Sequence, residues 1–229
     1  MEFGILRIDG GEGIQDQGGM ERLFHLLSGS VSFEWEGGKG RADRKSLLLE
    51  MPTALHAPAG AKVRVTALSG DAEMAVYKAP NPRPFPVRLI GPADIDRVVL
   101  SPAKLGGTAD RELRTILDDS RAPFSALTVG EVVNGPGKWS SFPPHHHPQW
   151  EIYHFRFFPK NGFAFSEQGE DVFKVRDGDT AVIPPGLTHP QCAAPGYAMV
   201  YLWAIRHLEG CRFGADSRNF VSEHAWTLG

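Results

Sequence analysis

Apolar and polar residues alternate along much of the chain with the period of two that is expected for half-buried β-strands. The clearest run covers residues 21–37, where Val31, Phe33 and Trp35 are separated by serine or glutamate. Further β-prone segments, separated by glycine and proline, cover residues 46–50, 62–68, 72–78, 126–133, 180–183 and 197–205. Many short strands joined by turns predict an all-β fold, either a sandwich or a barrel.

The segment 108–119 fits two different local structures. As a short helix it would place Leu113, Ile116 and Leu117 on one face, whereas residues 113–117 could equally form a strand. The sequence leaves both open.

A Pro-x-Gly turn motif recurs at a constant distance along the chain. Residues 184–189 lie 126 positions after residues 58–63 (184 − 58 = 126), and Val63 stands where the second copy has His189. Chance recurrence is the alternative in a chain with 26 glycines and 18 prolines. The surrounding β pattern favours an internal repeat, and hence two tandem barrels of which the first lacks the histidine.

Alternating prolines in residues 79–86 cannot donate hydrogen bonds to a sheet and predict an extended connection. We therefore expect an amino-terminal barrel at residues 1–90, a connecting segment at 91–120 and a carboxy-terminal barrel at 121–229.

Composition and charge narrow the classes of partner. The 229 residues, 41% of them hydrophobic, carry a formal net charge of −3. That gives no broad basic field for nucleic acid or an acidic membrane, so a small-molecule partner is expected. No apolar run approaches the roughly 20 residues that span a bilayer, and residues 1–4 do not resemble a signal peptide. A cytoplasmic location is expected, with both cysteines as thiols.

The segment 143–151, Pro-Pro-His-His-His-Pro-Gln-Trp-Glu, carries the candidate chemistry. On a strand His145 and His147 would share a face, and a tight hairpin would set Glu151 opposite His147. The downstream Pro-x-Gly turn would deliver His189. A histidine run alone could be a polar loop, but the four residues together predict one divalent metal ion. Imidazole with carboxylate suits zinc, manganese, iron, cobalt or nickel, with zinc favoured.

These residues also resemble a known family. The patterns His145-x-His147-x-x-x-Glu151 and Gly178-x5-Pro184-x-Gly186-x2-His189 are similar to the two motifs of the cupin superfamily, which are double-stranded β-helix barrels. The run from Trp139 to His145, with Glu-Ile-Tyr at 151–153, resembles the 5-deoxy-glucuronate isomerases of inositol catabolism, which are two-cupin proteins. The resemblance covers most of the chain.

The resemblance implies a metal-dependent aldose–ketose isomerase that converts the sugar acid 5-deoxy-glucuronate to 5-dehydro-2-deoxy-gluconate. A base could move a proton between C1 and C2, or the hydrogen could move as a hydride. The resemblance also implies a homo-oligomer.

Two further residues are expected to assist the reaction. Tyr153 shares the face of Glu151 by strand parity and could act as acid, base or hydrogen-bond donor. Arg156 matches the family pattern, although parity points it away from the metal. Cations considered for the substrate carboxylate are Arg156, Lys174, Arg176 and Arg206.

Two other functions fit the same residues. An iron-dependent dioxygenase could use the same ligands, and a non-catalytic cupin could bind a sugar without turning it over. A DNA-linked sensor is disfavoured because the sequence has no helix-turn-helix or basic arm.

Overall fold

A computed structural model describes residues 1–228 as a mostly β protein, which confirms the all-β prediction. The chain divides into two compact units. The first comprises Met1–Ile95 with Ile116–Leu127, and the second comprises Asp96–Thr115 with the chain from Thr128 onward. The predicted boundaries at residues 90 and 121 remain a prediction. None of the described helices has the length and apolar character required to cross a membrane.

The first unit contains eight antiparallel strands arranged around one long strand. They are β1 (Glu2–Ile8), β2 (Gly13–Asp16), β3 (Glu21–Trp35), β4 (Gly38–Arg44), β5 (Ala54–Ala57), β6 (Val63–Ala67), β7 (Ala72–Ala79) and β8 (Arg88–Ile90). The first half of β3 pairs with β5 and β7, and its second half pairs with β4 and β6. The register shifts between Leu26 and Ser28, and Gly29 follows with φ of 100°. This irregularity lets one strand serve both sides of the unit.

The second unit packs two antiparallel sheets around an apolar core. Its strands are β9 (Asp96–Leu100), β10 (Arg111–Leu117), β11 (Leu127–Asn134), β12 (Trp139–Ser140), β13 (His145–His146), β14 (Glu151–Phe158), β15 (Phe163–Gln168), β16 (Asp171–Arg176), β17 (Thr180–Ile183), β18 (Gln191–Ala193), β19 (Ala198–Arg206) and β20 (Asn219–Phe220). One sheet has the order β17-β14-β19-β11-β10-β9 and the other β12-β18-β15-β16. The core cluster draws Phe155 and Tyr201 from the first sheet and Ala164 and Ala193 from the second.

The internal repeat appears in the strand boundaries. Strands β5 and β7 recur as β17 and β19 at the same offset (180 − 54 = 126; 198 − 72 = 126). Val63, the counterpart of His189, is 1% exposed and belongs to the core of the first unit. An apolar residue thus fills the first unit at this position.

The structure corrects one prediction made from the sequence and decides between two alternatives in another segment. The prediction of a strand at residues 46–50 is wrong, because the chain forms a turn there. The carboxylate of Glu50 accepts the backbone N–H of Lys45 at 2.7 Å and of Ser46 at 3.3 Å, which curls the backbone. The ambiguous segment 108–119 contains strand β10 and not a helix, because Arg111 to Thr115 pair with β9.

Candidate metal centre

Strand β14 carries two of the predicted site residues on its inner face. Glu151 pairs through its backbone with Ile183 of β17 on one side and Ile205 of β19 on the other. Tyr153 follows at i+2 and belongs to the buried core of this unit, so Glu151 shares its face. The Glu151 carboxylate therefore lies inside the unit, only 4% exposed.

Two histidines converge on this carboxylate. The Nε2 atoms of His147 and His189 lie 3.0 Å and 3.3 Å from the same oxygen, Oε2 of Glu151. Potential ligand atoms of the three residues all lie within 4.8 Å of one another. The loop after β17 reaches this position through Gly186, which has φ of 81° and donates its N–H to the carbonyl of His147 at 3.0 Å. The Pro-x-Gly turn thus brings His189 beside His147, as its sequence suggested.

The hydrogen bonds of the imidazoles assign their tautomers. Nδ1 of His147 lies 3.1 Å from the carbonyl oxygen of Gln149, and Nδ1 of His189 lies 2.9 Å from that of Leu187. A carbonyl oxygen only accepts, so each Nδ1 carries a proton, and in the neutral ring each Nε2 presents a lone pair. In metal-binding histidines, the ring nitrogen that does not bind the metal usually donates its hydrogen to a backbone carbonyl or a carboxylate.

This arrangement fits a divalent cation. Two imidazole lone pairs would face one carboxylate oxygen, and Nε2 of His189 is buried without a hydrogen-bond partner. Such an arrangement is unfavourable unless a cation or proton lies between the three groups. Burial is the main cause that lowers the pKa of His189, which favours the neutral form that metals bind. The donor set of two imidazoles and one carboxylate suits the transition metals named above.

His145 lies next to this cluster. The His145 ring is centred 4.9 Å from the His189 ring, and its Nδ1 lies 3.0 Å from the carbonyl oxygen of Pro143. Its Nε2 is therefore also unprotonated. Burial, followed by the nearby His189, lowers the pKa of His145 to about 3. The compact three-residue cluster does not include His145, so its role as the fourth ligand stays a prediction.

The expected tight hairpin between His147 and Glu151 does not form. The strand that carries His145 pairs instead with the carboxy-terminal tail. Strand β13 pairs with β20, so that His145 lies opposite Phe220. Phe220 packs 5.4 Å from the His145 ring and Phe213 packs 5.1 Å from the His147 ring. Sequence reasoning missed these two aromatic residues, because the tail has no periodic pattern.

A network of hydroxyl groups adjoins the cluster. The Tyr153 hydroxyl lies 2.9 Å from Oγ of Ser141, and the Tyr201 hydroxyl lies 2.7 Å from Oγ of Ser140. The Tyr153 ring is centred 5.8 Å from that of His189. Burial raises the pKa of Tyr153, and the charge of Glu151 raises it further, so the phenol keeps its proton at neutral pH.

The structure does not bring Arg156 to the cluster. Its side chain projects from the opposite face of β14, where Nη1 lies 3.6 Å from Oδ2 of Asp177 and Nε donates to His154 at 3.2 Å. Among the other cations considered, Lys174 stacks on the Phe163 ring at 4.1 Å, and Arg176 and Arg206 are exposed.

Comparisons with known proteins agree with this geometry. A 5-deoxy-glucuronate isomerase of Geobacillus thermodenitrificans is 34% identical over 166 residues, which cover 66% of this chain and 58% of that protein. The aligned part thus spans less than two thirds of that relative's length. An IolB-like protein from Salmonella typhimurium LT2 superposes with a TM-score of 0.89 at 25% identity, covering 99% of this chain and 89% of that chain.

The fold is also shared with more distant proteins. Oxalate decarboxylase of Bacillus subtilis, a bicupin with Mn(II) centres, superposes with a TM-score of 0.66 at 11% identity, covering 95% of this chain and 70% of that chain. This likeness confirms the predicted pair of tandem cupin barrels. The model of the KduI/IolB family matches residues 1–227, and the chain therefore belongs to the KduI/IolB family.

Proposed function

We propose that this protein is a metal-dependent aldose–ketose isomerase that converts 5-deoxy-glucuronate to 5-dehydro-2-deoxy-gluconate. The observation that carries the proposal is the buried Glu151 carboxylate facing the Nε2 atoms of His147 and His189, with the Tyr153 hydroxyl on the same face. The name of the relatives that align with this chain supports the choice of substrate.

In this proposal His145, His147, Glu151 and His189 hold one divalent ion. Zinc is the first choice, and manganese, iron, cobalt and nickel suit the same ligands. When bound, the ion supplies a Lewis acid that polarises a carbonyl and its neighbouring hydroxyl. The backbone carbonyls bound to the Nδ1 atoms fix the orientation of the rings, so their lone pairs are preorganised for the ion.

The remaining residues orient the sugar and exclude water. Tyr153 holds a proton beside the cluster and would donate a hydrogen bond to a sugar oxygen, with Ser141 fixing the direction of its hydroxyl. Phe213 and Phe220 pack on the two adjacent imidazoles and would shield the reacting carbons from solvent.

Proton NMR of 5-deoxy-glucuronate with purified protein in deuterated water, with and without a chelator, tests the proposal. Turnover that a chelator abolishes and a divalent metal restores is the expected result. Deuterium at C6 of the product, the carbon that was C1 of the substrate, would indicate proton transfer, and its absence would indicate a hydride shift.

The same samples separate the two alternative functions. Oxygen consumption by iron-loaded protein without isomerisation would favour a dioxygenase. Tight binding of the sugar acid by metal-loaded protein with no change in its spectrum would favour a non-catalytic binding protein. Either result would overturn the isomerase proposal. A place in inositol catabolism, a cytoplasmic location and a homo-oligomeric state belong to the same proposal.

A further inference from the structure

An arginine that sequence reasoning passed over lies on the inner side of the second unit. Arg111 is the first residue of β10, and Leu113 packs against the buried core cluster of this unit. Because alternate side chains of a strand share a face, Arg111 projects to the same side as Leu113. Tyr153 and Tyr201 belong to that core cluster too. A guanidinium group is therefore directed towards the side of the sheet that carries the metal ligands.

Two backbone carbonyls hold Arg111 in place. Its Nη1 donates to the carbonyl of Ala109 at 2.8 Å, and its Nη2 donates to that of Phe142 at 3.3 Å. Phe142 directly follows Ser141, the partner of the Tyr153 hydroxyl. The guanidinium has five N–H donors, and these two contacts occupy two of them. The group is thus anchored, with donors left for a ligand.

Within residues 1–228, no carboxylate lies at ion-pair distance from Arg111, although its side chain is half-buried. Burial lowers the pKa of Arg111, Tyr201 and Tyr153 raise it, and the charge of Arg218 lowers it. A partly desolvated cation without a counter-ion is costly, and a bound anion would relieve that cost.

A second arginine lies nearby on the exposed side. Arg218 directly precedes Asn219, which pairs with His146 in the strand contact between β13 and β20. Arg218 thus adjoins the strand pair that includes His145, while Arg111 lies on the inner side of the same unit.

We propose that Arg111 binds the carboxylate of the sugar-acid substrate, with Arg218 contributing on the solvent side of the same site. This inference rests on the proposed function, because it assigns the acid end of the substrate to Arg111 while the C1 and C2 oxygens lie at the metal centre. The planar guanidinium matches a carboxylate through two parallel hydrogen bonds, which a sugar without the acid group cannot form.

Calorimetric titration of the metal-loaded protein with D-glucuronate and D-glucose tests this assignment, because the two sugars differ in the carboxylate. The wild type is expected to prefer the acid, and Arg111→Gln to lose about 30-fold of that preference with unchanged metal content. Arg111→Lys keeps the charge without the planar fork and should lose less. Arg97→Gln is the matched control, since Arg97 lies on neighbouring β9 and pairs with Glu112 at 2.7 Å.

The outcomes distinguish this inference from the isomerase proposal. An acid preference that depends on Arg111, found without turnover of 5-deoxy-glucuronate, supports the carboxylate site and overturns the isomerase. Turnover by the wild type, with an unchanged acid preference and KM in Arg111→Gln, overturns the carboxylate site alone. If Arg111→Gln weakens the binding of both sugars equally, or loses the metal, Arg111 only supports the loop that contains Phe142. That result would also overturn the inference.

Discussion

Glu21 is a buried carboxylate that joins several segments of the first unit. Its side chain is fully buried, and Oε1 accepts hydrogen bonds from His56 at 2.6 Å and Ser125 at 2.5 Å. Oε2 accepts from the side-chain amide of Asn81 at 2.6 Å and from the backbone N–H of Ala126 at 2.8 Å. We predict that Glu21→Gln destabilises this unit strongly.

The contacts set the size of the effect. Glutamine keeps the volume and one acceptor oxygen, but its NH2 group would face two of the four donors. Two charge-assisted hydrogen bonds would be lost at about 1.5 kcal/mol each, so the free energy of unfolding should fall by about 3 kcal/mol. That is a large share of the stability of a typical domain.

The loss of stability in Glu21→Gln should depend on pH in a defined direction. Burial raises the pKa of Glu21, but hydrogen bonding and charge attraction from His56, with the bonds from Ser125 and Ala126, outweigh it and bring the pKa below its ordinary value of 4.5. A carboxyl with a lowered folded-state pKa contributes stability that is present above its unfolded pKa and lost as pH falls through the folded value. The difference between wild type and Glu21→Gln should therefore narrow at acid pH, below about 4.5.

Hydrogen–deuterium exchange mass spectrometry of peptides from β3 and β5 measures this unit separately from the second. A loss of about 3 kcal/mol corresponds to exchange that is faster by on the order of 100-fold when the protein recloses faster than the opened amides exchange. Glu34→Gln is the matched control, because Glu34 lies on the same strand and is exposed. Equal exchange in the two variants, or a difference that does not change with pH, would refute the reasoning.

Three further changes test the site and the repeat. His147→Ala should abolish metal binding while far-ultraviolet circular dichroism stays unchanged, and full metal content by mass spectrometry would contradict the ligand assignment. Val63→Ala should lower the free energy of unfolding in urea by about 2 to 3 kcal/mol, from two lost carbons and a cavity, with metal content unaffected. Metal loss there would contradict a core-filling role. Tyr153→Phe should retain metal but lower kcat by about 100-fold, and an unchanged kcat would remove Tyr153 from the reaction.

Much of the site could be predicted from the sequence because its signals are local. Strand parity gave the shared face of Glu151 and Tyr153, and the Pro-x-Gly turn gave the position of His189. Local patterns gave a wrong prediction where a side chain takes the backbone N–H groups that a strand would use. In residues 46–50, Glu50 accepts the N–H groups of Lys45 and Ser46. The expected hairpin was wrong for a different reason, because β13 pairs with β20 in the distant carboxy-terminal tail.

The sequence by itself determined the all-β class, the repeat and the grouping of His147, Glu151 and His189, since each depends on periodicity or spacing within a short stretch of chain. Only the tertiary structure decided that Phe213 and Phe220 cover the histidines and that Arg111 lies on the near face, whereas strand parity already placed Arg156 on the far face. It also decided which donors meet Glu21, and those come from as far away as Ala126, 105 residues along the chain. Such contacts depend on which distant segments pair across the sheets, and no local period encodes that choice.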